Sequence, residues 1–292
     1  MTTGQLDDIR EALARRARDR REQFGATLAW FCMERLVCRL AAHPEVRSQL
    51  LLSGDLLLFA ICGGDAPYEW EAELRCAPGT LGQAAEMLKA VCAADLGDGL
   101  TFEPMGVSHA LPDSHRESSA VVHSVIACLG SNPCGLTILV RPESGVAGKP
   151  VDVPFAATLG GMASSRPMGC GASEVMADLV VRLVDQGFAC RPRVLRDTFR
   201  LLHLTGMDFS GMPRAIAWRV AAGAWRLPAK VPRVLDTSFP AEPAATKAWE
   251  TYLSRSRSTP LDLGTTIAAL RRSIWPWIQE AAEQVETSRR SP

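Results

Sequence analysis

Two glutamates set one residue apart, a Ser-Gly step and one further aspartate carry the reactive groups of greatest interest in this sequence. Glu71 and Glu73 lie in WEAELR, where Trp70, Ala72 and Leu74 alternate with Glu71, Glu73 and Arg75 as in a half-buried strand. Residues i and i+2 of a strand share a face, so the two carboxylates converge. Oxygen ligands of this kind suit Mg²⁺, which keeps several waters and takes substrate phosphates as further ligands. Upstream, Ser53-Gly54 in LLLSGDLLLFAI reads as the turn from a short strand into a helix, where free backbone N–H groups meet a phosphate. Asp152 in PVDVPF, expected on a neighbouring strand, adds the third acid of a two-metal phosphoryl-transfer site. Solvent-facing glutamates on an amphipathic edge strand give the same pattern, and spacing alone leaves both readings open.

The elements that must hold these groups follow from periodicity. Residues 5–22 alternate acid and base around Leu6, Ile9, Leu13 and Ala17 and read as a charged helix, and residues 26–42 read as an amphipathic one. A helix over 80–94 closes at Gly97-Asp98-Gly99, and strand-like stretches follow at 119–129, 135–141 and 149–155. From residue 172 onward the pattern is helical, over 172–187, 194–205, 211–224, 245–254 and 262–284. Strands first and helices last predict an α+β fold, with a mixed domain over 1–160 and a helical domain over 161–292.

Bulk properties exclude several classes. The formal charge is zero over 292 residues, so no global field draws the molecule to nucleic acid or anionic lipid. The nine cysteines form no CxxC pair and predict no zinc site. The charged start MTTGQLDDIREALARR has no signal-peptide core, and the longest apolar run is too short to span a bilayer; a cytoplasmic protein without a membrane partner is expected. His109, His115 and His123 read as surface or turn histidines, and Trp218, Trp225, Trp249, Trp275 and Trp277 as core. Arg191-Pro192-Arg193 and Arg255-Ser256-Arg257 are the best candidates for touching RNA, against an ordinary reading as solvated loops.

Over most of its length the chain resembles the AbiEii/AbiGii family, which includes the mycobacterial MenT toxins. ATLAWFCMERLVCRLAAHPE resembles the helix before the family's "VLKGG" turn, and Ser53-Gly54-Asp55 falls on its Lys-Gly-Gly. Glu71 and Glu73 fall on the aspartates of "RPTRDLDL". DGLTFEP resembles "DGLxFDP", and PVDVPFA resembles "LQIDIGFG", which places Asp152 on the third aspartate. LRDTFRLL resembles "MKDFYDLW", with Arg196 on the lysine and Asp197 on the first aspartate. The resemblance implies a nucleotidyltransferase-like mixed sheet with flanking helices and a helical C-terminal half. It also implies a toxin of a type IV (AbiE-type) toxin–antitoxin or phage-defence system. Such a toxin transfers nucleotides from an NTP to tRNA or another RNA with Mg²⁺, and a cognate AbiEi-like antitoxin is encoded nearby.

The departures bear on chemistry. Asp55 replaces a glycine of the phosphate turn, and a carboxylate there opposes a triphosphate. Both aspartates are glutamates, and the lysine of the family's "AEKFEAM" has only Leu179 or Val181 in its place, with Arg182 the nearest cation. Two expectations therefore stand. In one, Glu71, Glu73 and Asp152 hold metal, Ser53 and Gly54 contact nucleotide, and Arg182 or Arg196 replaces the lysine beside Asp197. In the other, the fold persists as a catalytically inactive binding or interaction module.

Overall fold

The computed structural model describes residues 3–62, 71–109, 120–142, 149–185, 192–221, 226–255 and 261–290. Helix α1 (Thr3–Arg20) buries its Ile9, Leu13 and Ala17 stripe and turns most of its arginines outward. Helix α2 (Phe24–Ala42) is buried from Thr27 through Leu40, so the segment read as amphipathic is a central helix covered on every side. A short α3 (Pro44–Arg47) leads into β1 (Leu51–Ser53), which passes directly into α4 (Gly54–Cys62). Next come β2 (Glu71–Cys76), α5 (Ala84–Ala93), β3 (Leu100–His109), β4 (Val121–Leu129), β5 (Asn132–Pro142), β6 (Val151–Asp152) and β7 (Met168–Gly169). The remainder is helical: α6 (Ala172–Asp185), α7 (Pro192–Leu202), α8 (Met212–Ala221), α9 (Pro243–Arg255) and α10 (Leu263–Arg290). The fold is α+β with a helical C-terminal half, as the sequence implied.

The seven strands form one mixed sheet in the order β3-β4-β5-β2-β1-β7-β6. Strand β2 runs parallel to β5 and antiparallel to β1, and β1 runs parallel to β7. Register places Glu73 opposite Ser53 on one side and Leu139 on the other, and Arg75 opposite Leu51 and Arg141. Because side chains alternate, Glu71, Glu73, Arg75, Thr137, Leu139 and Arg141 share one face. Ala72, Leu74, Ile138 and Val140 share the other, and all four are buried. Helix α2 lies on that apolar face, where Cys32 meets Cys134. Helix α6 lies on the charged face, where Asp178 meets Arg75. Buried residues from Ile9 to Ala281 join in one hydrophobic cluster.

Three local features differ from the sequence reading. Strand β3 was not legible, because its alternation lasts only from Leu100 to Glu103 before the bulge between Pro104 and Gly106 and the exposure of residues 104–108 end it. The stretch 149–155 is a strand only over Val151 and Asp152, with one isolated bridge from Phe155 to Ser165 beyond it, and Pro150 and Pro154 are unable to donate to a ladder. His123 is a strand residue that is 5% exposed, not a surface histidine, and burial lowers its pKa. The Gly97-Asp98-Gly99 turn is more than a helix stop. Both glycines have positive φ, and Asp98 accepts 2.7 Å hydrogen bonds from Arg35 and Arg39 of α2.

Candidate functional site

The site begins where β1 becomes α4. Gly54 has φ +62, and a Cβ built there would lie 3.0 Å from Glu73 Cβ and 3.0 Å from Glu73 Oε2. Glycine is therefore required both by backbone conformation and by the approach of β2. Glu73, on the adjacent antiparallel strand, is held by guanidinium groups. Its Oε1 lies 3.2 Å from Arg75 Nη2 and 3.6 Å from Arg141 Nε. Ser53, directly opposite Glu73, is wholly buried, and its Oγ has no hydrogen-bond partner.

Behind Glu73 the charges continue inward. Arg75, 3% exposed, reaches α6 with Nη2 at 2.9 Å from Asp178 Oδ2 and Nη1 at 3.9 Å from Glu174 Oε1. From α8, Arg219 Nη2 lies 2.7 Å from Asp178 Oδ1 and 2.9 Å from Glu174 Oε1. Burial works against the charged form of Asp178, but Arg219, Arg75, Arg182 and Arg141 together hold its pKa below the ordinary value. Burial likewise opposes the charge on Arg75, and Asp178 and Glu73 outweigh it. The result is a compensated network linking β2, α6 and α8.

In front of the turn, Asp55 occupies the first turn of α4. Arg182 Nη1 of α6 lies 3.3 Å from its Oδ1, and Arg193 Nη2 of α7 lies 3.4 Å from its Oδ2. Arg193 also bonds Asp197, Nε to Oδ2 at 3.3 Å. Burial, with Asp55 nearby, raises the Asp197 pKa although Arg193 opposes the rise. The acid that sequence reasoning set against a phosphate is thus already paired with two arginines.

The structure gathers Ser53, Gly54, Glu73, Arg182 and Asp197 around this turn, with Glu71 on the same face of β2. Asp152 is not brought to them. It sits on β6, separated from β2 by β1 and β7, about 14 Å away at about 4.8 Å per strand, and it is ion-paired with Arg47. Arg196 packs on α9, where Nη1 lies 2.7 Å from the Tyr252 hydroxyl. Trp70, His115, Arg191, Trp225, Ser256 and Arg257 lie outside the described residues. Arg193, a candidate RNA contact, instead pairs with Asp55 and Asp197.

These donors do not fit a divalent cation held by three carboxylates. The β5 residues that face Glu71, Glu73 and Arg75 are Thr137, Leu139 and Arg141, so the neighbouring strand supplies a cation where a third acid would help. Glu73 already serves two guanidinium groups. Among the described residues no group of three or more His, Cys, Asp or Glu is arranged to hold a metal ion. Sequence reasoning missed Arg75, Arg141, Glu174, Asp178 and Arg219. Their one legible signal was charge at spacing of four along α6, Glu174-Asp178-Arg182, inside an otherwise apolar helix.

A strand, a positive-φ glycine turn into a helix, and an antiparallel strand with two acids on one face make up a nucleotidyltransferase-like architecture. Among solved structures the chain is similar to MenT4, a nucleotidyltransferase toxin from Mycobacterium tuberculosis H37Rv. The TM-score is 0.56 at 16% identity, covering 92% of this chain and 98% of that one. It also matches JHP933 from Helicobacter pylori, with a TM-score of 0.39 at 14% identity, over 91% of this chain and 95% of that one. No family model and no curated protein sequence matches. The likeness to MenT4 establishes the fold. No helix among the described residues is long and apolar enough to cross a membrane.

Proposed function

We propose that the chain is a toxin-type nucleotidyltransferase-fold protein that binds the phosphates of a nucleotide or RNA without metal-dependent nucleotide transfer. The ion pairing of Glu73 by Arg75 and Arg141, in place of a third acid on β5, carries this reading. A carboxylate committed to two buried guanidinium groups is a poor ligand for a further cation, because a metal ion would have to compete with both arginines for its oxygens. The arginines that remain at the turn, Arg182 and Arg193, suit phosphate oxygens, which guanidinium groups recognise through fixed donor geometry. A type IV setting with an AbiEi-like antitoxin, and a cytoplasmic location, belong to the same proposal.

The test is transfer of α-labelled nucleotide from each of the four NTPs onto total tRNA with Mg²⁺, comparing wild type with Glu71→Ala/Glu73→Ala. The expected result is no transfer by either protein, both folded. A second reading, a working Mg²⁺-dependent nucleotidyltransferase acting on tRNA or another RNA, is favoured by one observation. The close approach of Gly54 to Glu73 keeps turn and carboxylate together. Label transferred by wild type and not by the double variant would establish that second reading.

A further inference from the structure

The start of α4 has the parts of an anion site, and one of its own side chains sits in it. The first N–H groups of a helix lack intrahelical partners and carry partial positive charge. Two guanidinium groups from other helices converge on the same point, Arg182 of α6 and Arg193 of α7, and what they hold is the Asp55 carboxylate. Two observations independent of the helix end point to a further ligand. Ser53 Oγ, wholly buried and on the same sheet face as Glu73, has no hydrogen-bond partner. Arg182 Nε, at the edge of the same cluster, is also unpartnered. Buried donors without acceptors are costly and rare, and here two lie beside the one turn.

Asp55 is the weak member of this cluster. It is 30% exposed on its side chain, and its two contacts, at 3.3 and 3.4 Å, are longer than the 2.7 Å contact inside the network from Arg219 to Asp178. It also competes with Asp197 for Arg193. A phosphoryl group carries more charge and more acceptor oxygens than a carboxylate, so it satisfies both arginines and a serine hydroxyl together.

We propose that the Asp55 carboxylate is a built-in stand-in for a phosphate. It occupies an anion site made by the start of α4, Arg182 and Arg193, and a phosphoryl group of a nucleoside triphosphate binds there, without a divalent cation, when it displaces that carboxylate. This rests on the phosphate-binding reading above and goes beyond it by naming the residue that restrains the site. Removing the charge of Asp55 frees Arg182 and the half of Arg193 not committed to Asp197, and lifts the repulsion that a triphosphate meets.

The test is calorimetric titration of inorganic tripolyphosphate, and in a parallel arm ATP, into wild type and Asp55→Asn in buffer containing EDTA. Asp55→Asn is expected to bind tripolyphosphate at least about tenfold tighter than wild type, a change equivalent to one added ionic contact. Adding Arg182→Gln or Arg193→Gln to Asp55→Asn is expected to abolish that gain. Asp55→Ser, also uncharged and smaller, serves the same purpose should the Asn variant not fold. Two results overturn the proposal: no gain in the folded Asp55 variants, or a gain that survives loss of either arginine. Tighter ATP than tripolyphosphate binding adds a base or ribose subsite to the same site, and a gain that appears only with Mg²⁺ overturns the cation-free part. Because binding is read here and label transfer in the earlier test, failure of one does not imitate failure of the other.

Discussion

A Cβ added to Gly54 would stand 3.0 Å from the Cβ of Glu73, which ties the turn at the head of α4 to the acid strand beside it. Gly54→Ala must adopt a left-handed backbone at about 1–2 kcal/mol, and it meets a strand Cβ that cannot swing away, at about 1–3 kcal/mol more. Urea denaturation is expected to show the sum as a lower midpoint with an unchanged slope. A variant within about 0.5 kcal/mol of wild type would show that β2 is free to move from the turn.

Arg75 joins β2 to α6 inside the protein. Arg75→Ala takes from Asp178 and Glu174 a buried guanidinium group that both contact, and loss of one partner from a buried ion pair costs about 3–5 kcal/mol. The expected outcome in thermal and chemical denaturation is a large loss of stability. Arg75→Met with Glu174→Gln, which removes charge from both sides, is expected to recover part of it. Equal losses in the single and double variants would contradict the pairing.

Asp98 makes stability depend on acid. Burial opposes its charge, but hydrogen bonds from Arg39 and Arg35 win and hold its pKa below 3.8. A folded-state pKa depressed in this way contributes stability that is complete above the unfolded value and is lost as pH falls through the folded one. The stability gap between wild type and Asp98→Asn is therefore expected to be widest near about pH 6 and to narrow steadily below about pH 4. A gap constant over that range would show that the Asp98 carboxylate titrates normally.

Glu34 has the opposite sign. Burial raises its pKa above 4.5, more than its bonds to Thr158 and the nearby Arg35 lower it. Its contribution is complete below the unfolded value and is lost as pH rises through the folded one. Glu34→Gln, which keeps an acceptor for the Thr158 amide, is expected to gain on wild type as pH rises from about 4 to about 8. Parallel pH profiles for the two proteins would rule this out.

Thiol reactivity follows burial and pairing. Cys134 is partly exposed, and a hydrogen bond from Cys32 lowers its pKa, while burial pushes Cys92 up to about 11. Thiolates are the reactive form, so brief alkylation of the native protein at neutral pH should label Cys134 well before Cys92 and Cys32. Peptide mass mapping reads the order directly, and early labelling of Cys32 would contradict the packing of α2 on β5.

Much of the fold was legible because local rules write it. The 3.6-residue stripe of α1, the Ser53-Gly54 step and the alternation Glu71-Ala72-Glu73-Leu74 depend on neighbours in sequence, and the structure keeps them. Strand β3 escaped because its alternation lasts only from Leu100 to Glu103, too short to read before a bulge and two exposed faces end it.

The candidate site divides along the same line. That Glu71 and Glu73 share a face follows from the pleat of one strand, so the sequence determined it alone. Whether Asp152 joins them depends on strand order, and β1 and β7 intervene. Which partner each acid takes was equally beyond local pattern. Arg141 comes to Glu73 through the parallel pairing of β2 with β5, Arg182 and Arg193 reach Asp55 from two later helices, and Arg219 arrives from a third. Charge balance at a buried site is set by groups far apart in the chain. Only the tertiary structure decides it, because electrostatic energy depends on distance and desolvation in space rather than on separation in sequence.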